Sequence, residues 1–504
     1  MCNRNKSDLK QCRFFFAGIV CALLLIIGIT MLQSFPTNYV ILIEDTLFKT
    51  WFKNAETSIW KNKGFVLKPL SSVEKKCRLF SNTSIPVAII TTEKFYSFDA
   101  RNPKVQSQEK NGNGLCLYYT INESVLVPAL AAEFQGNGKL SSTDAPNISL
   151  SLTSPEALPK NFRALPVNGV YAGEENYPLT VQNKVRCTIL NAQFKDAVSK
   201  FCSQIFTGAV AKRKETAFVA SVGDIMLGRG VQDILLHDKH GIQKVFTDTL
   251  PILQNNDITI GNLEGAITES ENKLAKTYTF KFHKEVLAHL KAAGFNYLML
   301  SNNHCYDYGE TGFKDTIAAL REYGIPTSGA GLNDDEAKRF YRTEKKGEKF
   351  SIISCGMYPI ERSGFNGKKT ATAKETRAGI LWAGDEVLAA IAKEKSAGNF
   401  VIVNVHGGTE YQFTPNEQQR SFYRSLCDAG ADLVFGTHPH VLQPTEWYNG
   451  SLIVYSLGNF IFNGMNGLYG ACDTEIVRIG IYDGIILYVE KYPARIDGCR
   501  VLLR

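Results

Sequence analysis

The sequence predicts a layered α/β sandwich over about residues 215–490, and three observations predict it. Short apolar runs alternate with amphipathic helical patterns along that stretch. Most of those runs end in glycine beside an Asp, Glu, Asn or His. The chain is also long and ordinary in composition, 504 residues with 44% hydrophobic and 21% charged. That is enough for two or three domains, each with its own core.

The apolar runs fall at 217–222, 258–260, 297–300, 350–354, 400–405, 433–435 and 452–455. Runs this short and this rich in β-branched residues read as buried strands. Helical spacing of apolar residues marks 284–293, 312–323, 386–395 and 417–429 between them. The stretch 475–491 reads as two strands around Tyr482-Asp483-Gly484, a hairpin turn.

The amino-terminal part is organised differently. Residues 14–32 form an uncharged run, FFFAGIVCALLLIIGITML. At about 1.5 Å per helical residue it reaches roughly the thickness of a bilayer core. Arg4, Lys6, Lys10 and Arg13 precede it. Positive charge on the cytoplasmic side predicts a cytoplasmic segment 1–13, a single-pass anchor and soluble domains outside the cell membrane. The run is longer than the apolar core of a signal peptide, and no A-x-A site follows it. Residues 38–205 read as a separate α/β region, with strands at 39–43, 87–91 and 115–119 and helices at 123–134 and 193–206. No chemistry is legible there. The small and charged stretch 206–216 reads as a linker to a domain spanning 217–504.

Charge and cysteine usage narrow the function. A net charge of +7, with both signs interspersed, is not a nucleic-acid footprint. The 12 cysteines include no CxxC pair and no finger-like spacing, which argues against zinc-finger and thioredoxin-like readings. Cys187 and Cys202 are candidates for a disulfide if that half is exported.

The strand exits carry the candidate chemistry. They read Gly223-Asp224-Ile225-Met226, Gly261-Asn262-Leu263-Glu264-Gly265, Ser301-Asn302-Asn303-His304, His406-Gly407-Gly408, Gly436-Thr437-His438-Pro439-His440 and Gly458-Asn459. Parallel strands bring such exits to one edge of a sheet, where open α/β folds bind ligands. The chain has only 8 histidines, and two of them flank Pro439 at one exit. Mixed carboxylate, amide and imidazole donors suit divalent Mn, Fe or Zn, as one ion or two.

The stretches GDIMLGR, GNLEGAIT, SNNHCYDYG, VHGGTEY and GTHPHVLQPTEWYNGSLIVYSLGNFIF resemble the motifs of CapA-type capsule-synthesis proteins, the poly-gamma-glutamate capsule family, which is related to calcineurin-like metallophosphoesterases. The resemblance spans about 215–465 and implies a four-layer metallophosphoesterase-like sandwich. It implies a membrane-anchored protein acting in synthesis, export or anchoring of an anionic polymer or its precursor, beside other capsule-synthesis membrane proteins. It also implies roles residue by residue. Asp224, Glu264, Asn303, His406, His438 and His440 match metal ligands, with Glu264 at a bridging position. His304 matches the histidine that protonates a leaving group, and Asp307 is placed to orient it. Arg229, Glu410, Tyr411 and Glu446 are candidates for substrate contacts, Arg229 because its planar fork fits carboxylate or phosphate.

One position departs from the related phosphoesterases. Their first motif is Asp-x-His, and here Met226 holds the histidine position. Two expectations therefore stand side by side. One is a metal-dependent hydrolase or transferase. The other is a non-catalytic scaffold or polymer-binding protein with a degenerate metal site.

Overall fold

The computed structural model describes residues 215–504 continuously, and separate strands and short segments between 38 and 206. The candidate span 14–32 and most of the stretch 206–216 lie outside the described residues. Among the described residues, no helix is long and apolar enough to cross a membrane.

The chain divides into two compact units. The first comprises residues 1–95, 102–123 and 182–211, and the second 96–101, 124–181 and 212–504. In the first, Asn38–Ile43 pairs in parallel with Phe65–Pro69 and with Ser84–Ser97. A helix, Lys195–Phe206, follows the Thr180–Ile189 strand, as its apolar spacing predicts. Cys187 on that strand and Cys202 on that helix are buried as free thiols hydrogen-bonded to each other.

Within the stretch 123–134, read as a helix, the described residues are instead strand. Gly114–Leu126 and Ala129–Glu133 are extended, and the former pairs antiparallel with Gln108–Asn111. Pro128 is the physical reason, because it lacks an N–H and clashes with a continuing helix turn. The β-branched Thr120, Ile121 and Val125 favour the pleated alternative.

The second unit is built on two large sheets. One runs Tyr297–Met299, Ile258–Leu263, Ala217–Met226, Asp473–Tyr482, Ile485–Asp497, Arg500–Leu503, with Asn459–Phe462 also paired to Ala217–Met226. The other runs Tyr341–Lys345, Glu348–Met357, Phe400–Gly407, Leu433–Thr437, Ser451–Leu457, Leu442–Tyr448. Their central strands are parallel, and the later strands of the first sheet are antiparallel.

Alternation along each strand sorts the side chains into layers. Val219, Ile260, Met299, Ile352, Ile402, Phe435 and Val454 share one apolar cluster drawn from both sheets, so the sheets pack face to face. Ile353, Val401, Val403, Val434 and Ile453 point the other way. There they meet Val387 and Ile391 of helix Asp385–Ser396 and Tyr423 and Leu426 of helix Glu417–Asp428. On the far face of the first sheet, Ala220, Val222 and Leu298 meet Leu287 of helix Val286–Ala292 and Phe313 and Leu320 of helix Gly309–Glu322. The unit is therefore mixed α/β, with helices outside both sheets. The parallel strands leave their carboxyl ends along one edge, and the candidate site lies there.

Candidate metal and acid–base site

Asp224 is placed by an unusually close approach of two backbones. A Cβ on Gly223 would lie 1.9 Å from the carbonyl oxygen of Gly458, so only glycine fits. The Asp224 N–H then donates to that same carbonyl at 3.0 Å. On the neighbouring strand Asn262 lies inside Ile258–Leu263, and Glu264 follows its end, held by its N–H donating to the Ile225 carbonyl at 2.9 Å. Asn262 Nδ2 donates to Asp224 Oδ1 at 2.8 Å, and Asn302 Nδ2 donates to Asn262 Oδ1 at 2.9 Å. An amide chain thus fixes one oxygen of Asp224 and leaves the other facing His440, whose Nδ1 lies 3.1 Å away.

The histidines come from two adjacent strand exits. His406 Nε2 pairs with Asn303 Oδ1 at 2.9 Å, and its Nδ1 with Thr437 Oγ1 at 2.9 Å. His438 and His440 sit at φ 96° and 57°, left-handed conformations that non-glycine residues seldom adopt. Strain of this kind persists where the surroundings over-determine it, commonly at functional sites. Asn459 Oδ1 meets His440 Nδ1 at 2.8 Å, while Asn459 Nδ2 donates to the His440 carbonyl at 3.2 Å.

Beside them stands a second constellation. His304 Nδ1 donates to Asp307 Oδ2 at 2.7 Å, which directs Nε2 toward Glu264 Oε1, 3.9 Å away. Asp307 is fully buried. Lys276 Nζ donates to Asp307 Oδ1 at 2.6 Å and to the Asn303 carbonyl at 2.7 Å, and it pairs with Glu361 at 2.9 Å. The backbone N–H of Phe280 completes Asp307's shell at 2.7 Å, and the Phe280 ring covers His304.

Several buried polar atoms have no partner. Both oxygens of Glu264 and both ring nitrogens of His438 lack any hydrogen bond, although these residues are 0% and 2% exposed. Leaving such groups unpaired costs about 1–3 kcal/mol each, more for charged ones, so they need an occupant. The donor set is carboxylate and imidazole, which suits a divalent transition metal. Two groups of three have ligand atoms all within 4.8 Å of one another: Asp224, Glu264 and His440, and Glu410, His438 and His440.

The electrostatics agree with that chemistry. Burial, then the charge of Asp224, holds the Glu264 carboxyl well above its ordinary range. Burial and neighbouring imidazoles push His406 and His438 well below theirs, which keeps them neutral as ligands must be. Burial also disfavours a charged His440, but Glu264 and Asp224 outweigh it and raise that group to about 10.

Of the residues singled out from the sequence, Asp224, Glu264, His438, His440, His304 and Asp307 share the cluster. Asn303 and His406 adjoin it but bond to one another. Arg229 lies exposed with its guanidinium over Phe280 and Phe462, donating to the Asn463 carbonyl at 2.8 Å. Tyr411 packs its ring against His440, 5.9 Å between centroids. Glu446 is not brought to the cluster. It sits four residues into the strand Leu442–Tyr448, a run of about 13 Å at strand rise. There it accepts from Arg424 Nη2 and the Tyr455 hydroxyl, both at 2.6 Å.

Sequence reasoning gave no role to Asn262, Asn302, Asn459 and Lys276. The asparagines were visible in the exit motifs. Lys276 carries no local signal, since its partner Asp307 is 31 residues away.

The sequence that builds this fold and cluster matches a bacterial capsule-synthesis family. Residues 218–464 match the family described as Bacterial capsule synthesis protein PGA_cap. The chain is 36% identical over 245 residues to a PGA biosynthesis protein CapA of Bacillus subtilis, covering 48% of this chain and 62% of that protein. It is 32% identical over 295 residues to a capsule biosynthesis protein CapA of Bacillus anthracis, covering 57% and 69%. It is 29% identical over 326 residues to a probable polyglutamine synthesis accessory protein of Mycobacterium tuberculosis, covering 55% and 84%. The chain belongs to this CapA-type capsule-synthesis family.

Proposed function

We propose that the protein acts in making, exporting or anchoring an anionic, poly-gamma-glutamate-type polymer, through a metallophosphoesterase-like site held outside the cell by the 14–32 segment. The observation that carries the site reading is the buried Glu264 carboxylate, which has no hydrogen bond and lies 3.8 Å from His440 Nε2, within ligand reach of Asp224 and His440. Asp224, Glu264, His438 and His440 would hold one or two divalent Mn, Fe or Zn ions. A bound ion of this class supplies Lewis-acid polarisation of a substrate oxygen.

The chain's own groups perform the rest. Asp307 fixes the His304 tautomer with the proton on Nδ1, so Nε2 faces the cluster and holds or delivers a proton there. Lys276 keeps Asp307 in that position. Phe280 excludes water from the His304 face. Arg229 and Tyr411 stand nearer solvent, where a carboxylate or phosphate of the polymer or its precursor would be gripped.

The second reading is a scaffold that holds the polymer or neighbouring membrane proteins without catalysis. Met226 favours it, because the position offers a thioether packed into the helix-side core instead of an imidazole. Complementation separates the two. In cells lacking the native copy, His304→Ala and Asp224→Ala should abolish polymer formation at normal protein levels. Polymer formation that survives both changes, but not deletion of 14–32, supports the scaffold and excludes the catalytic reading.

A further inference from the structure

Met226 cannot serve the site, yet a second set of ligand atoms that includes His440 is assembled beside it. Met226 is fully buried, and its sulfur accepts the Gly228 N–H at 3.1 Å. The carboxylate of Glu410 meets His438 and His440 instead, with ligand atoms all within 4.8 Å of one another. His438 is 2% exposed and both its ring nitrogens are unpartnered.

The backbone holds Glu410 to that side. Gly408 turns at φ 116°, and a Cβ there would come within 2.8 Å of the Gln419 amide. Tyr411 sits at φ 61°, rare for a side chain of its size, and its N–H donates to the Pro439 carbonyl at 2.8 Å. That bond ties the Gly-Thr-Glu-Tyr loop to the middle of His438-Pro439-His440. Two strained segments are thereby locked together with Glu410 between them and the solvent.

We infer that Glu410 is a metal ligand, and that a second divalent ion lies toward solvent between Glu410, His438 and His440. This rests on the metal-site reading above and reassigns Glu410 from substrate contact to metal binding. His440 belongs to both groups of three. His440 Nδ1 donates to Asn459 Oδ1 at 2.8 Å, which leaves Nε2 as the ring's one ligand atom for a single ion, whereas Glu410 serves only the outer ion and Asp224 only the inner.

The test is Mn²⁺ titration of the detergent-solubilised, metal-stripped full chain by calorimetry, with metal content measured after gel filtration. Glu410→Gln should hold one ion fewer than the parent, or bind its outer ion more than about tenfold more weakly, since even groups behind a ligand are worth about 10–100-fold. Asp224→Asn should lose the inner ion and retain the outer, and His440→Ala should hold at least one ion fewer than the parent. The metal-free melting temperature of Glu410→Gln should match the parent, because Glu410 is exposed. A Glu410→Gln titration that superimposes on the parent's overturns the inference and leaves the metal site standing. A parent that takes up no ion removes the metal site itself, and this inference with it.

Discussion

Asp307 accepts from His304, Lys276 and the Phe280 backbone at once, so its carboxylate is fixed before any substrate arrives. The Lys276 and Asp307 side chains are both 0% exposed. Removing one partner of a buried pair strands the other charge, at a cost of about 3–5 kcal/mol. Lys276→Met should therefore lower the thermal midpoint markedly, and an unchanged midpoint would show that the pair does not hold this loop. The sign of the pH effect at His440 also follows. Its pKa is raised to about 10 by Glu264 and Asp224, against burial. The stabilisation from the protonated ring is present below its ordinary value of 6.5 and is lost as pH rises through about 10. A metal competes with that proton. Metal uptake at pH 7.5 should thus release protons and strengthen with rising pH, measured by titration in buffers of different ionisation enthalpy. Buffer-independent heats would contradict this.

At the level of the element, the site depends on where strands end more than on the strands themselves. Gly223 allows Ala217–Met226 to touch the Gly458 turn, and the Asp224 N–H bond depends on that contact. Gly223→Ala forces backbone atoms apart, and overpacking of this kind costs about 1–3 kcal/mol or more. The variant should melt lower and bind metal more weakly, whereas parent-like melting would mean the two strands have slack. Short continuous apolar runs made the central strands legible, because both faces are buried and Ile352 and Ile353, or Val434 and Phe435, face different layers. The 123–134 segment was misread because apolar spacing was weighed above Pro128. Glu446 looked available because it follows the histidine loop closely in sequence, but an extended strand carries it away to Arg424.

For the molecule as a whole, the part of the site that lies in strand exits could be read directly, since parallel pairing fixes where those exits converge. The supporting shell could not, because Lys276 and Asn459 reach their partners through loops with no periodic signal. Met226 removes an imidazole from the Asp224 motif, and the Glu410 loop brings a carboxylate to His438 and His440. The most direct measurement is the metal content of the purified full chain, parent beside His440→Ala. Stoichiometric Mn, Fe or Zn is expected in the parent, and its loss in the variant. A parent without stoichiometric metal, after reconstitution with each of these ions, would contradict it.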